Sequence, residues 1–78
     1  MAIRYIPTHK GKMLVHYETW WIDALSESDK LVMLSMAMKG ESMTSKEIAE
    51  DSDLSMAEVE GSLRRMVDFG YVDREFGE

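Results

Sequence analysis

Seventy-eight residues make one domain and leave no room for a second core, and so short a chain gains stability from association. A hydrophobic content of 45% argues for a folded chain, the lack of cysteine excludes disulfide and thiolate chemistry, and no apolar run nears the ~18 residues of a membrane span. Fifteen acids against nine bases leave a net charge of −6, which is repelled by nucleic acid at long range.

The charge is unevenly spread. Residues 1–17 hold Arg4, Lys10 and Lys12 and no acid, so every acid lies in residues 18–78. The N-terminus shows no apolar stretch followed by a small-residue cleavage site. No signal peptide is therefore expected, and the cytoplasm is the default location.

Residues 2–6 (A-I-R-Y-I) are β-prone, as are residues 13–17 (M-L-V-H-Y). Pro7 and Gly11 punctuate the polar stretch between them, which predicts a hairpin or an extended basic arm over residues 1–17. The second run can also continue into a helix, because Y-E-T-W-W-I-D-A-L has helical apolar spacing. A helical part is expected over 18–40. Ser26 is its clearest N-cap, Glu27 and Asp29 suit the positive end of a helix dipole, and Gly40 is a C-terminal stop. The segment 31–38 is apolar almost throughout, so this helix needs cover on more than one side.

Thr44 or Ser45 caps a short helix through Lys46, Glu47, Ile48, Ala49 and Glu50. In the polar turn that follows, Leu54 should point inward. Ser55 caps the next helix, with Glu58 completing a capping box. Val59, Leu63, Met66 and Val67 fall on one face of that helix, Gly70 ends it, and a β-prone segment runs from Tyr71 to Phe76.

The run Glu47-Ile48-Ala49, Leu54-Ser55, then Val59, Leu63, Met66, Gly70, Tyr71, Val72 and Arg74 resembles the winged helix–turn–helix domains of MarR-like and related regulators. The resemblance covers about residues 25–76 and has packing reasons behind it. Ala49 is small where two helices cross, Leu54 and Val59 seal the turn, and Gly70 supplies a left-handed cap. It implies a mainly α chain with a small β component: three to four helices, short N-terminal strands and an abbreviated wing over a helix–turn–helix at 44–76. The strand after Gly70 is expected to pair with an N-terminal run, since otherwise its backbone groups stay unpaired.

By function, the resemblance implies a small DNA-binding transcriptional regulator acting as a homodimer. Ser55, Ala57, Gly61, Arg64 and Arg65 would face the major groove, and Arg4, Lys10 and Lys12 would reach phosphates. The exposed positions of the chain itself point elsewhere. Glu58 and Glu60 stand where relatives commonly carry Ser, Thr, Arg or Lys, and the 41–60 segment carries Lys46 as its single base. Only eight residues follow Gly70, too few for a full wing hairpin.

An acidic protein–protein interaction module without DNA binding is therefore the alternative. It would dock a partner in a replication or transcription assembly, or a host protein if the chain is phage-encoded. Glu58 and Glu60 would line its docking face. The aromatic pair Trp20-Trp21 is a candidate anchor or core element. Met33 and Met36, on a different side of their helix from Leu31 and Leu34, are candidates for a homodimer interface or for core filling.

His9 and His16 lack a nearby carboxylate in ligand spacing, so no metal is expected. No nucleophile–base order, glycine-rich phosphate loop or isolated carboxylate pair is present in the sequence. Neither an enzyme nor a cofactor or small-molecule substrate is expected.

Overall fold

A computed structural model of the chain describes residues 3–16 and 25–76. In chain order its elements are β1 (Ile3–Pro7), α1 (His9–His16), α2 (Glu27–Lys39), β2 (Met43–Thr44), α3 (Ser45–Ser52), α4 (Met56–Phe69) and β3 (Val72–Phe76). The fold is thus mainly helical, with four helices and a three-stranded antiparallel sheet in the order β2-β1-β3 among the described residues.

Local sequence sets the helix ends. Ser26, Thr44 and Ser55 each accept the backbone N–H of the residue three places on, and the carboxylates of Asp29, Glu47 and Glu58 accept the cap N–H in return. Each such box satisfies two of the donors that a helix N-terminus leaves unpaired. Between Thr44 and Ser45, the structure selects Thr44. At the other ends, Gly40 and Gly70 take left-handed conformations with φ of 74° and 83°. Asp53 does the same at 62° to turn the chain from α3 into α4.

The core forms around α2, which packs on α3, α4, β1 and α1. Val32, Met33 and Met36 from α2 meet Met43, Ile48, Val59, Leu63, Met66 and Val72, all of them buried. Ala49, Leu54 and Val67 close the periphery, in the places that the turn and helix spacing assign them. With one side against the other helices and another toward β1 and α1, α2 has the multi-sided cover that its composition demands.

The expected pairing of β3 with an N-terminal run holds: Ile3, Tyr5 and Pro7 of β1 stand opposite Phe76, Arg74 and Val72. The hairpin or free arm over residues 1–17 does not. Residues 9–16 are helical, and β1 has both edges occupied, by β2 and β3, so a second N-terminal strand has no edge left to join.

Tertiary contact overrides the β propensity of 13–16. The Thr8 hydroxyl accepts from the Gly11 N–H at 3.1 Å and donates to the Gly70 carbonyl at 2.7 Å, while the Thr8 N–H donates to the Tyr71 carbonyl at 3.0 Å. These bonds cap α1 and press its first turn onto the chain leaving α4. Gly11 is buried at the contact, and a β-carbon there would collide with the Tyr71 carbonyl oxygen.

Glycine inside a helix ordinarily costs about 1 kcal/mol relative to alanine. At Gly11 the sign should reverse: Gly11→Ala is expected to lower stability by about 2 kcal/mol through overpacking against backbone. Gly61→Ala on α4 meets only the Arg65 guanidinium, at 3.8 Å, and should raise stability by about 0.5 kcal/mol. Urea unfolding of the two variants checks both signs. A Gly11→Ala protein as stable as the parent would contradict the close docking of α1.

Candidate interaction surface

α3 and α4 are joined by the short turn at Asp53, and α4 has one buried and one exposed side. Val59, Ser62, Leu63 and Met66 face inward, which leaves Ala57, Glu58, Glu60, Arg64, Arg65 and Asp68 exposed and Gly61 half-buried. The first two turns of the exposed arc are acidic, with Glu58 held by its capping box and Glu60 turned to solvent. On the neighbouring α3, Glu47, Glu50 and Asp51 are exposed and line a depression with Lys39 and Met43, and Asp53 is exposed in the turn that leads into α4.

The candidate phosphate contacts divide sharply. Arg65 belongs to the interior as much as to the surface. Its guanidinium bonds both carboxylate oxygens of Asp29, at 2.7 and 3.3 Å, and the Ser62 hydroxyl at 3.3 Å. Asp29 keeps only 1% of its surface in water. Burial pushes its carboxyl up, but hydrogen bonds from Arg65, Ser62 and Ser26 together with the Arg65 charge outweigh that and hold it below the ordinary aspartate value. The same hydrogen bond raises the Arg65 guanidinium further above its already high value.

Arg4 is equally engaged. It donates to the Ser42 hydroxyl at 2.9 Å, the Ser42 carbonyl at 2.7 Å and Glu47 at 3.2 Å, tying β1 to the start of α3. The Thr44 backbone N–H, with added help from the Arg4 and Lys39 charges, keeps the Glu47 carboxyl low. Lys10 donates to the Phe69 carbonyl at 3.3 Å and stands 5.1 Å from the centre of the Tyr71 ring. An N-terminal arm reaching toward phosphate is therefore replaced by a strand and a helix whose cations, Lys12 excepted, are bonded to the body of the domain. Arg64 is exposed and makes no ion pair among the described residues; pairing with Glu60 or Asp68 is not seen for either arginine of α4.

The alternative site residues also redistribute. Met33 and Met36 have no exposed surface and form the centre of the core, so they offer no dimer face. They lie inward because Asp29, Met33 and Met36 share one side of α2, and that side carries the contact to α4. The apolar residues that α2 does expose are Leu31 and Met38; Met56 and Phe69 are their counterparts on α4. Trp20 and Trp21 lie outside the described residues. Ser55, Ala57, Glu58 and Glu60 stay on the surface.

Sequence reasoning missed Asp29 as a structural carboxylate. The S-x-x-D spacing from Ser26 and the i, i+4, i+7 alignment with Met33 and Met36 both marked it. No group of three or more His, Cys, Asp or Glu placed to hold a metal ion occurs among the described residues. No family model, curated protein or solved structure matches the chain.

Arg65→Ala would leave a buried carboxylate without its cation and should cost about 2 kcal/mol near neutral pH; the arginine's half-exposed side chain keeps the cost moderate. The sign with pH follows from linkage. A lowered carboxyl in the folded state contributes stability that is present above the unfolded aspartate value and lost as pH falls through the folded one. In Arg65→Ala burial acts unopposed by the guanidinium, so stability should begin to fall at a higher pH than in the parent. Urea midpoints measured at intervals from about pH 7 to about pH 3 test this. Parallel profiles for the two proteins would remove the ion pair from the account.

Proposed function

We propose that this chain is a winged helix–turn–helix type of domain that docks a protein partner through the acidic face of α3 and α4, and does not bind duplex DNA. One observation carries the reading. The helix that would enter a major groove begins with Glu58 and Glu60, and three of the cations that would meet phosphate, Arg4, Lys10 and Arg65, are bonded within the fold. A carboxylate can accept from a cytosine amino group but repels every phosphate around it. The same carboxylates suit lysine or arginine side chains on a protein. Exposed Met56, at the first turn of α4, adds an adaptable apolar contact in their midst.

The winged-helix assignment is supported by the order α2, β2, α3, turn, α4, β3 and by the caps that join those elements. It differs from the family pattern in one respect: β3 takes its partner from β1 at the N-terminal side rather than from a strand following a wing loop. A DNA-binding regulator is the second reading, and the exposed, unpaired Arg64 of α4 favours it.

The two readings separate in solution. Against mixed duplex DNA at about 50 mM salt, fluorescence anisotropy should show no saturable binding at tens of micromolar protein. Peptides selected from a random display library on the immobilised chain should be net basic. They should lose binding to a variant carrying Glu58→Gln and Glu60→Lys together, in which the glutamine side chain preserves the capping box and hence the helix. Micromolar, salt-sensitive DNA binding would overturn the proposal. So would selected peptides that bind the variant as well as the parent.

A further inference from the structure

On the sheet side of α4, Tyr5, Glu60, Leu63, Arg64, Val67 and Arg74 line a cleft of about 220 Å³. We infer that this cleft is a seat for a carboxylate side chain of the docked protein, held between Arg64 and Arg74. The inference rests on the protein-docking reading and gives its partner a second chemical requirement: one acidic residue within an otherwise basic docking surface.

The placement of the two arginines follows from strand register and helix spacing. Tyr5 stands directly opposite Arg74, and residues opposite one another in an antiparallel pair project from the same sheet face. Tyr5 packs against the core, so that face is the one turned toward the helices. Val72, two residues earlier on β3 and therefore on the same face, is buried. Arg74 thus continues the inner face of the sheet just past the edge of the core. From the other side, Leu63 and Val67 of α4 supply an apolar floor, and Arg64 rises beside them.

Both guanidinium groups are exposed, and neither forms an ion pair or hydrogen bond among the described residues. Glu60 also lines the cleft but forms an ion pair with neither arginine. Two like charges lining one cleft repel each other, and an entering anion relieves that repulsion. Guanidinium presents a fork of donors that matches a carboxylate two oxygens at a time. A water occupies about 30 Å³, so the space admits a short acidic side chain and a few waters.

The neighbourhood selects an isolated carboxylate over a nucleic-acid backbone. Glu60 lines the cleft itself, and Asp68 follows one helical turn beyond Arg64 on α4. A phosphodiester chain would carry further charges against these acids at its regular spacing. A single aspartate or glutamate on a protein surface would not.

The arginine side-chain Nε–H signals provide the test, because Arg4 and Arg65 are already engaged and serve as internal references. N-acetylglutamic acid α-N-methylamide, whose one carboxylate is that of the side chain, is titrated into the ¹⁵N-labelled full chain at constant ionic strength. The Arg64 and Arg74 signals should move along one saturating curve, with a dissociation constant on the order of 10 mM, while those of Arg4 and Arg65 stay still. Arg64→Gln and Arg74→Gln should each weaken that binding about fivefold or more without changing the amide spectrum of the core. A non-saturating drift shared by all the arginines would overturn the seat. So would a short DNA duplex that saturates Arg64 and Arg74 below the carboxylate's concentration, since the cleft would then belong to nucleic acid. If the cleft saturates with carboxylate but no basic peptide docks at Glu58 and Glu60, the seat stands and the docking reading falls. If peptides dock and the cleft stays silent, the docking reading stands and the seat falls.

Discussion

A single carboxylate, Asp29, sets the relation between α2 and α4, the two longest helices among the described residues. It closes the capping box that starts α2, and its remaining capacity is filled by the guanidinium and hydroxyl of Arg65 and Ser62 on α4. A buried ion pair is weak evidence for net stability, because desolvation offsets much of the attraction. Its value here is directional. A planar guanidinium accepted at both oxygens fixes the rotation of α4 about its own axis, which the methionine-rich core beneath it would fix less firmly. The rotation in turn determines which residues α4 shows to the outside.

From that orientation the surface chemistry follows. With Arg65 drawn toward α2, the exposed arc of α4 keeps Glu58, Glu60 and Asp68 and gives up half of its positive charge. The N-terminal segment makes a similar exchange. β1 occupies the middle of the sheet, Arg4 is taken up by Ser42 and Glu47, and α1 is pinned by Thr8 and Gly11 against the residues after α4. Cations that could have been mobile and phosphate-seeking are turned into struts. Among the arginines, what remains free is the pair on the sheet side of α4, Arg64 and Arg74, beside an acidic face. Such a mixed pattern favours a partner with matching charges over a uniformly anionic polymer.

The elements most legible in the sequence were those whose cause is local. Ser55 and Glu58, Gly40 and Gly70, and the Val59–Leu63–Met66 spacing act within one or two turns of chain, so the structure places α4 and its ends where the residues put them. The turn from α3 to α4 was legible for the same reason. α1 was not. His9–His16 is helical because Gly11 meets the Tyr71 carbonyl, a contact between distant parts of the chain that no window of sequence contains. Direction was also hidden in α2. A helix apolar on nearly all sides gives no periodic signal, so Met33 and Met36 read as either core or interface until Asp29 is known to face α4. The fate of Arg65 depended on the same fact.

The central claim is that Asp29 and Arg65 act on each other directly and thereby fix α4. A double-mutant cycle measures it, using Asp29→Asn, Arg65→Gln and the combined variant in urea unfolding. The single changes should not be additive, with a coupling between them of about 1 kcal/mol or more. A coupling indistinguishable from zero would mean that the two residues contribute independently, and that something other than this ion pair orients α4.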